Sequence, residues 1–146
     1  MSRSGYHDDL DPLDLGRWRG QVKSAIRGKR GQAFLKELAA AMDAMPEKVL
    51  IASELIDDDG DCCTIGVVCK SRGIDVSKID YEEPEQVGAA VGIARQMAAE
   101  IEYENDEACY STETPQDKWL RMRRWVESKI VQPEAHVRAV AGGGGK

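Results

Sequence analysis

No apolar run in this chain of 146 residues approaches the roughly 20 that a membrane-spanning helix needs. Stretches such as 49–51 and 89–91 fall far short, so no membrane span is expected. The first nine residues hold no apolar h-region and soon turn acidic. Neither a signal peptide nor a transit peptide is therefore expected, and the cytoplasm is the default compartment. Histidine is scarce: His7 and His136 sit near opposite ends of the chain. Ser/His/Asp and Cys/His catalysis both need an imidazole beside the nucleophile, and this sequence offers no such signature. Cysteine pairs at metal-ligand spacing are missing too. Cys62 and Cys63 are adjacent, Cys69 follows six residues later and Cys109 is remote, so there is no Cys-x-x-Cys. Zinc fingers need four nitrogen or sulfur ligands at set spacing. The expectation is four reduced thiols acting as small buried hydrophobes, with no metal and no cofactor.

What the chain does contain is enough apolar material for one core. At 16.1 kDa, with 42% hydrophobic and 32% charged residues, a domain of this size buries roughly 68–70% of its unfolded surface. The net charge of −6 and pI near 5.0 argue against a general nucleic-acid coat protein. The distribution says more than the sum. Residues 17–36 carry Arg17, Arg19, Lys23, Arg27, Lys29, Arg30 and Lys36 with no acid, whereas residues 80–113 hold ten acids against the single Arg95. Either these segments meet in the fold and partly neutralise one another, or the basic one forms a phosphate-facing surface.

The pattern along the chain is helical. Asp11 and Pro12 suit a helix start, and Leu15, Trp18, Val22, Ala25 and Ile26 then share one face with a basic back. Gly28-Lys29-Arg30-Gly31 reads as a cationic turn into a second helix, with Phe34, Leu35, Leu38, Met42 and Met45 as its apolar face and Pro46 at its end. Around residues 48–65, β-branched residues flank an Asp-Gly step and predict a short β-hairpin. Residues 64–72 read as a short helix closed by Gly73. Pro84 opens another to about Val91, and residues 93–107 resume after Gly92 with Met97 and Ile101 as core. Thr114, Pro115 and Asp117 form a helix-start signature, followed by the stripe Trp119, Met122, Val126 and Ile130. The fold expected is a mainly α single-domain bundle of five to six helices over residues 12–132. Segments 1–11 and 133–146, the latter Gly-rich, are expected to be flexible.

The blocks Arg17-Trp18-Arg19-Gly20-Gln21, Arg27 through Leu35, Glu104-Asn105-Asp106-Glu107, Glu113-Thr114-Pro115 through Trp119, Arg121-Met122-Arg123 and Trp125-Val126 resemble a family of small proteins encoded by tailed bacteriophages and prophages. That family has no assigned activity. The resemblance implies a phage origin and an infected bacterial cytoplasm, and it singles out no catalytic residue.

Four motifs bear on function. Asp57-Asp58-Asp59-Gly60-Asp61 superficially suits a calcium loop, but with Gly60 at the sixth position the first and twelfth ligands would be Leu55 and Gly66. The same acids could hold magnesium for nuclease chemistry, though no Lys or His base stands nearby. Lys29 and Arg30, bracketed by Gly28 and Gly31, lack the spacing of a P-loop, yet with Arg27 they form a candidate anion site. Around Gly92 the apolar spacing matches a helix-turn-helix whose second helix offers Arg95 and Gln96, followed by a run of acids that phosphates would repel. Trp125 lies off the stripe of the last helix, among Lys118, Arg121 and Lys129 at helical spacing. It is a candidate partner-binding residue with Lys118 and Arg121, because Trp and Arg dominate interface hot spots. The expected function is that of a non-enzymatic phage accessory protein binding a macromolecule, foremost a phage or host protein. A small DNA-binding regulator is the alternative, and a metal-dependent nuclease is more distant.

Overall fold

The computed structural model describes residues 12–107 and 112–131. Asp11, Cys109, both histidines and the Gly-rich segment lie outside that range. Six α-helices are present among the described residues: α1 (Pro12–Arg27), α2 (Lys29–Asp43), α3 (Thr64–Arg72), α4 (Pro84–Val91), α5 (Arg95–Asp106) and α6 (Pro115–Lys129). The fold is mainly helical, as the periodicity predicts. No helix among the described residues is long and apolar enough to cross a membrane.

Burial sets the order of the layers. α5 packs against α1, α3, α4 and α6, while α2 packs against α1, α3 and α6. Leu35, Leu38 and Met42 of α2 meet Ile65 and Val68 of α3, Met97 and Ile101 of α5, and Met122 and Val126 of α6 in one core. All nine are fully buried. α1 contributes less: Val22 and Ile26 are buried, whereas Leu15, Trp18 and Ala25 are half-buried.

The junction of α1 and α2 is tighter than the expected turn. Gly28 alone leaves the helical region, and Lys29, Arg30 and Gly31 already form the first turn of α2. Gly31 is buried because α2 crosses directly over the end of α1. A methyl group on it would overlap the carbonyl oxygens of Ala25 and Ile26. α2 ends at Asp43, short of Pro46, and the Lys48 ammonium closes it by donating to the carbonyls of Asp43 and Met45, each at 2.6 Å.

The expected β-hairpin shrinks to a single antiparallel bridge between Ile56 and Cys62. Its turn is as the sequence suggests, since the Asp57 carboxylate accepts from the backbone N–H groups of Asp59 (3.0 Å) and Asp61 (2.9 Å). The ladder cannot grow because Cys63 is the N-cap of α3, its Sγ accepting from the N–H of Gly66 at 3.4 Å. The bridge is made by Asp57 N–H to the Asp61 carbonyl (2.9 Å) and Cys63 N–H to the Leu55 carbonyl (3.0 Å), and one further backbone bond, Ile51 N–H to the Cys62 carbonyl (2.9 Å), ties the preceding segment to it.

A polar hub at the end of α5 fastens this loop. Asn105, 1% exposed, accepts from the N–H and hydroxyl of Thr64 at 3.1 and 2.7 Å and donates to the Ile51 carbonyl at 2.9 Å. Asp106 beside it accepts from the Tyr81 hydroxyl at 2.6 Å. Burial, with the neighbouring acids and Cys63, pushes the Tyr81 hydroxyl far above its ordinary value, so it stays a donor.

Candidate cationic site on α1 and α2

Arg19, Lys23 and Arg27 recur every four residues, so α1 carries them in one row along its exposed back. Lys29 and Arg30 continue the charge around the corner into α2, where the first turn holds no acid. Among the described residues no carboxylate lies within ion-pair distance of these five or of Lys36. Elsewhere the pattern is mixed: Lys78, Arg124 and Lys129 also have no carboxylate within ion-pair distance among the described residues, whereas other cations are paired. Arg72 pairs with Glu37 at 2.6 Å, and Arg123 with Asp43 at 2.9 Å and with Glu127. Of the acids at 80–113, Glu113 goes to α6. The basic and acidic segments do meet, since α1 packs on α5 and Glu100 stands near the cations of α1, but no ion pair joins them among the described residues.

Beside the row runs a groove of about 570 Å³ between α1, α5 and the end of α6. Val22 and Ile26 line it from α1, and Ile130 and Val131 from the other wall. Arg19, Lys23, Arg27 and Lys129 stand around it with a single acid, Glu100. The far wall is held by Gln32, which no sequence signal singled out. Its amide donates to the carbonyls of Ile26 (2.9 Å) and Lys129 (3.0 Å), and its side-chain carbonyl accepts from the N–H of Val131 (2.8 Å). One side chain thus pins the α1–α2 corner to the end of α6. A smaller recess lined by Ser24, Gly28, Lys29 and Arg30 lies at that corner.

The second group of candidates, on α6, is built for another purpose. Lys118 is buried, donating to the Asn105 carbonyl at 2.5 Å and lying 3.3 Å from Glu113. Arg121 clasps the Glu113 carboxylate at 2.6 and 3.1 Å and also donates to the Glu104 carbonyl at 2.7 Å. Both cations therefore sit on the carbonyl end of α5, where the helix dipole favours positive charge. The hydrogen bond from Arg121 holds the Glu113 carboxyl below the usual carboxylate range, against the opposing effect of burial. The charged ends of Lys118 and Arg121 are turned to α5, so the structure does not assemble the expected cationic ring around Trp125. Trp125 is half-buried against the core, with the Lys129 ammonium 5.8 Å from its ring centre.

The remaining motifs also resolve into packing. Gly92 ends α4 in the left-handed region at φ 82°, the turn expected of a helical corner. The helix after it is the central one, with Met97, Ala98, Ala99, Ile101, Glu102 and Asn105 buried. Arg95 stacks over Trp18 at 5.3 Å, and Gln96 donates to Gln21 at 3.3 Å. Both expected base-reading side chains are thus engaged with α1. In the acidic loop Asp57 is spent on its own turn, and no group of three His, Cys, Asp or Glu among the described residues is placed to hold a metal ion.

Comparison with protein-family models, with curated proteins and with solved structures finds no match to this chain. The phage resemblance therefore stands on the sequence blocks alone, and the site on its own geometry.

Proposed function

We propose that this chain is a non-enzymatic accessory protein of phage origin that binds an anionic region of a phage or host protein in the infected bacterial cytoplasm. The cationic edge of α1 with the start of α2 is its contact surface. The supporting observation is the grouping: Arg19, Lys23, Arg27, Lys29 and Arg30 stand together along α1 and the start of α2 with no carboxylate partner among the described residues, while Arg72, Lys118, Arg121 and Arg123 are engaged elsewhere. Exposed cations held in a row on a helix raise the local potential and steer an anionic partner, even on a molecule of net charge −6.

A DNA-binding regulator would draw on the same cations. It has less support, because its second helix is buried among four others and Arg95 and Gln96 face α1. The test is retention on a heparin column at low salt. Wild type is expected to bind and to elute as salt rises. A variant with Arg27→Ala, Lys29→Ala and Arg30→Ala is expected to pass through with its thermal melt unchanged. Equal retention of that variant refutes the surface, and magnesium-dependent cutting of plasmid DNA by the pure protein refutes the non-enzymatic reading.

A further inference from the structure

The groove beside the cationic row narrows the kind of partner, given the reading above that the row is a contact surface. We infer that it takes an acidic amphipathic helix, whose apolar side chains rest on Val22, Ile26, Ile130 and Val131 while its carboxylates meet Arg19, Lys23, Arg27 and Lys129. Three features lead to this occupant. The row from Arg19 to Arg27 spans about 12 Å, slightly over two helical turns, the length over which a docked helix presents anchors at i, i+3 or i+4, and i+7. The volume of about 570 Å³ lies within the range of ligand pockets, roughly 300–1,000 Å³. Val131 at the end of α6 is 43% exposed beside Ile130, so apolar surface is available for an anchor to cover amid the cationic lining.

A phosphate backbone fits this place poorly. It would close against the Glu100 carboxylate and leave the exposed Val131 uncovered. A second copy of the same cationic helix is opposed by like charge. Residues 132–146 carry one acid against two bases, so charge does not favour that segment either.

The experiment uses the full chain and a fluorescein-labelled synthetic peptide of about 14 residues, four helical turns, with a leucine stripe and glutamates beside it. The controls are a scrambled peptide of the same composition, polyglutamate and a short DNA duplex. Fluorescence anisotropy is expected to show the striped peptide binding at least about tenfold more tightly than the scrambled one. Val131→Asp should abolish that preference without shifting the melt, and Arg27→Glu should weaken both peptides. Equal binding of striped, scrambled and polyglutamate probes overturns the groove but leaves the cationic surface standing. Tight binding of the duplex alone overturns the helix in favour of a nucleic acid. Failure of every anionic probe removes the surface as well. A gain in peptide affinity on changing Asp8, Asp9 and Asp11 to asparagine assigns the groove to the chain's own acidic segment. A dimer in sedimentation that Val131→Asp dissociates assigns it to a second copy. Either result overturns the inference.

Discussion

Glycine has two opposite meanings within α1 and α2. At Gly16 and Gly20 an added methyl would meet nothing within 4 Å, and both sit exposed inside a helix. Glycine there costs helix stability through backbone entropy, so Gly16→Ala and Gly20→Ala are each expected to stabilise the fold by about 0.5–1 kcal/mol. At Gly31 the same methyl overlaps two backbone carbonyls that cannot swing aside, and Gly31→Ala is expected to destabilise by about 1–3 kcal/mol. Urea denaturation of the three variants measures this contrast, and equal effects would refute it. The sequence could not show the contact that separates them. Gly31 reads from sequence as a turn glycine and Gly16 and Gly20 as helix interior, but the close contact at Gly31 arises from one crossing of two backbones. Gln32 was hidden for the same reason, because its partners lie 6, 97 and 99 residues away.

Elements that start and stop through local chemistry were readable. Residues 64–72 with Gly73 as the cap, and the Thr114 to Asp117 capping box, match the observed α3 and α6. The hairpin failed because a competing local role, Cys63 as a helix cap, claimed the chain one residue past the bridge. On α6 the spacing correctly gave the apolar stripe, with Trp119, Met122 and Val126 buried. It could not reveal that Lys118 and Arg121 reach across to α5. That clamp has a pH signature. The Glu113 carboxyl is held lower in the folded protein than in the unfolded chain. Its contribution is therefore present above the unfolded value, roughly pH 4.3, and disappears as pH falls through the depressed folded one. Glu113→Gln is expected to lower the melting temperature at pH 7 and to converge with wild type as pH falls below about 4. A constant gap between the two melts across that range would show that Glu113 acts by packing alone.

At the scale of the whole molecule, the cysteines report how the core opens. Cys62, Cys63 and Cys69 are free thiols buried together with α3. Burial pushes the Cys69 thiol up to about 11 and the Cys63 thiol higher still, so little reactive thiolate exists at pH 8 in the folded state. Alkylation of Cys63 and Cys69 by iodoacetamide at pH 8 is expected to be slow. It should follow the global unfolding equilibrium as urea is added, as read by mass spectrometry of the two peptides. Rapid labelling of either residue without urea would reveal a local opening of α3. The charge layout was readable at this scale, since seven cations without an acid between them announce a basic segment. Which surfaces would satisfy those cations was not readable, because that depends on which helices become neighbours.

The bridge made by Gln32 also sets a schedule. One wall of the groove comes from residues 22 and 26 and the other from 130 and 131, so the surface does not exist until nearly the whole described chain has been synthesised and α6 has docked. At a synthesis rate of about 5–20 residues per second, the hundred residues between the walls take roughly 5–20 s to emerge. Contacts so far apart in sequence are among the slower ones to close. During that interval the nascent chain carries its cations but not the shaped groove, so the selectivity proposed above would begin only once the last helix is seated.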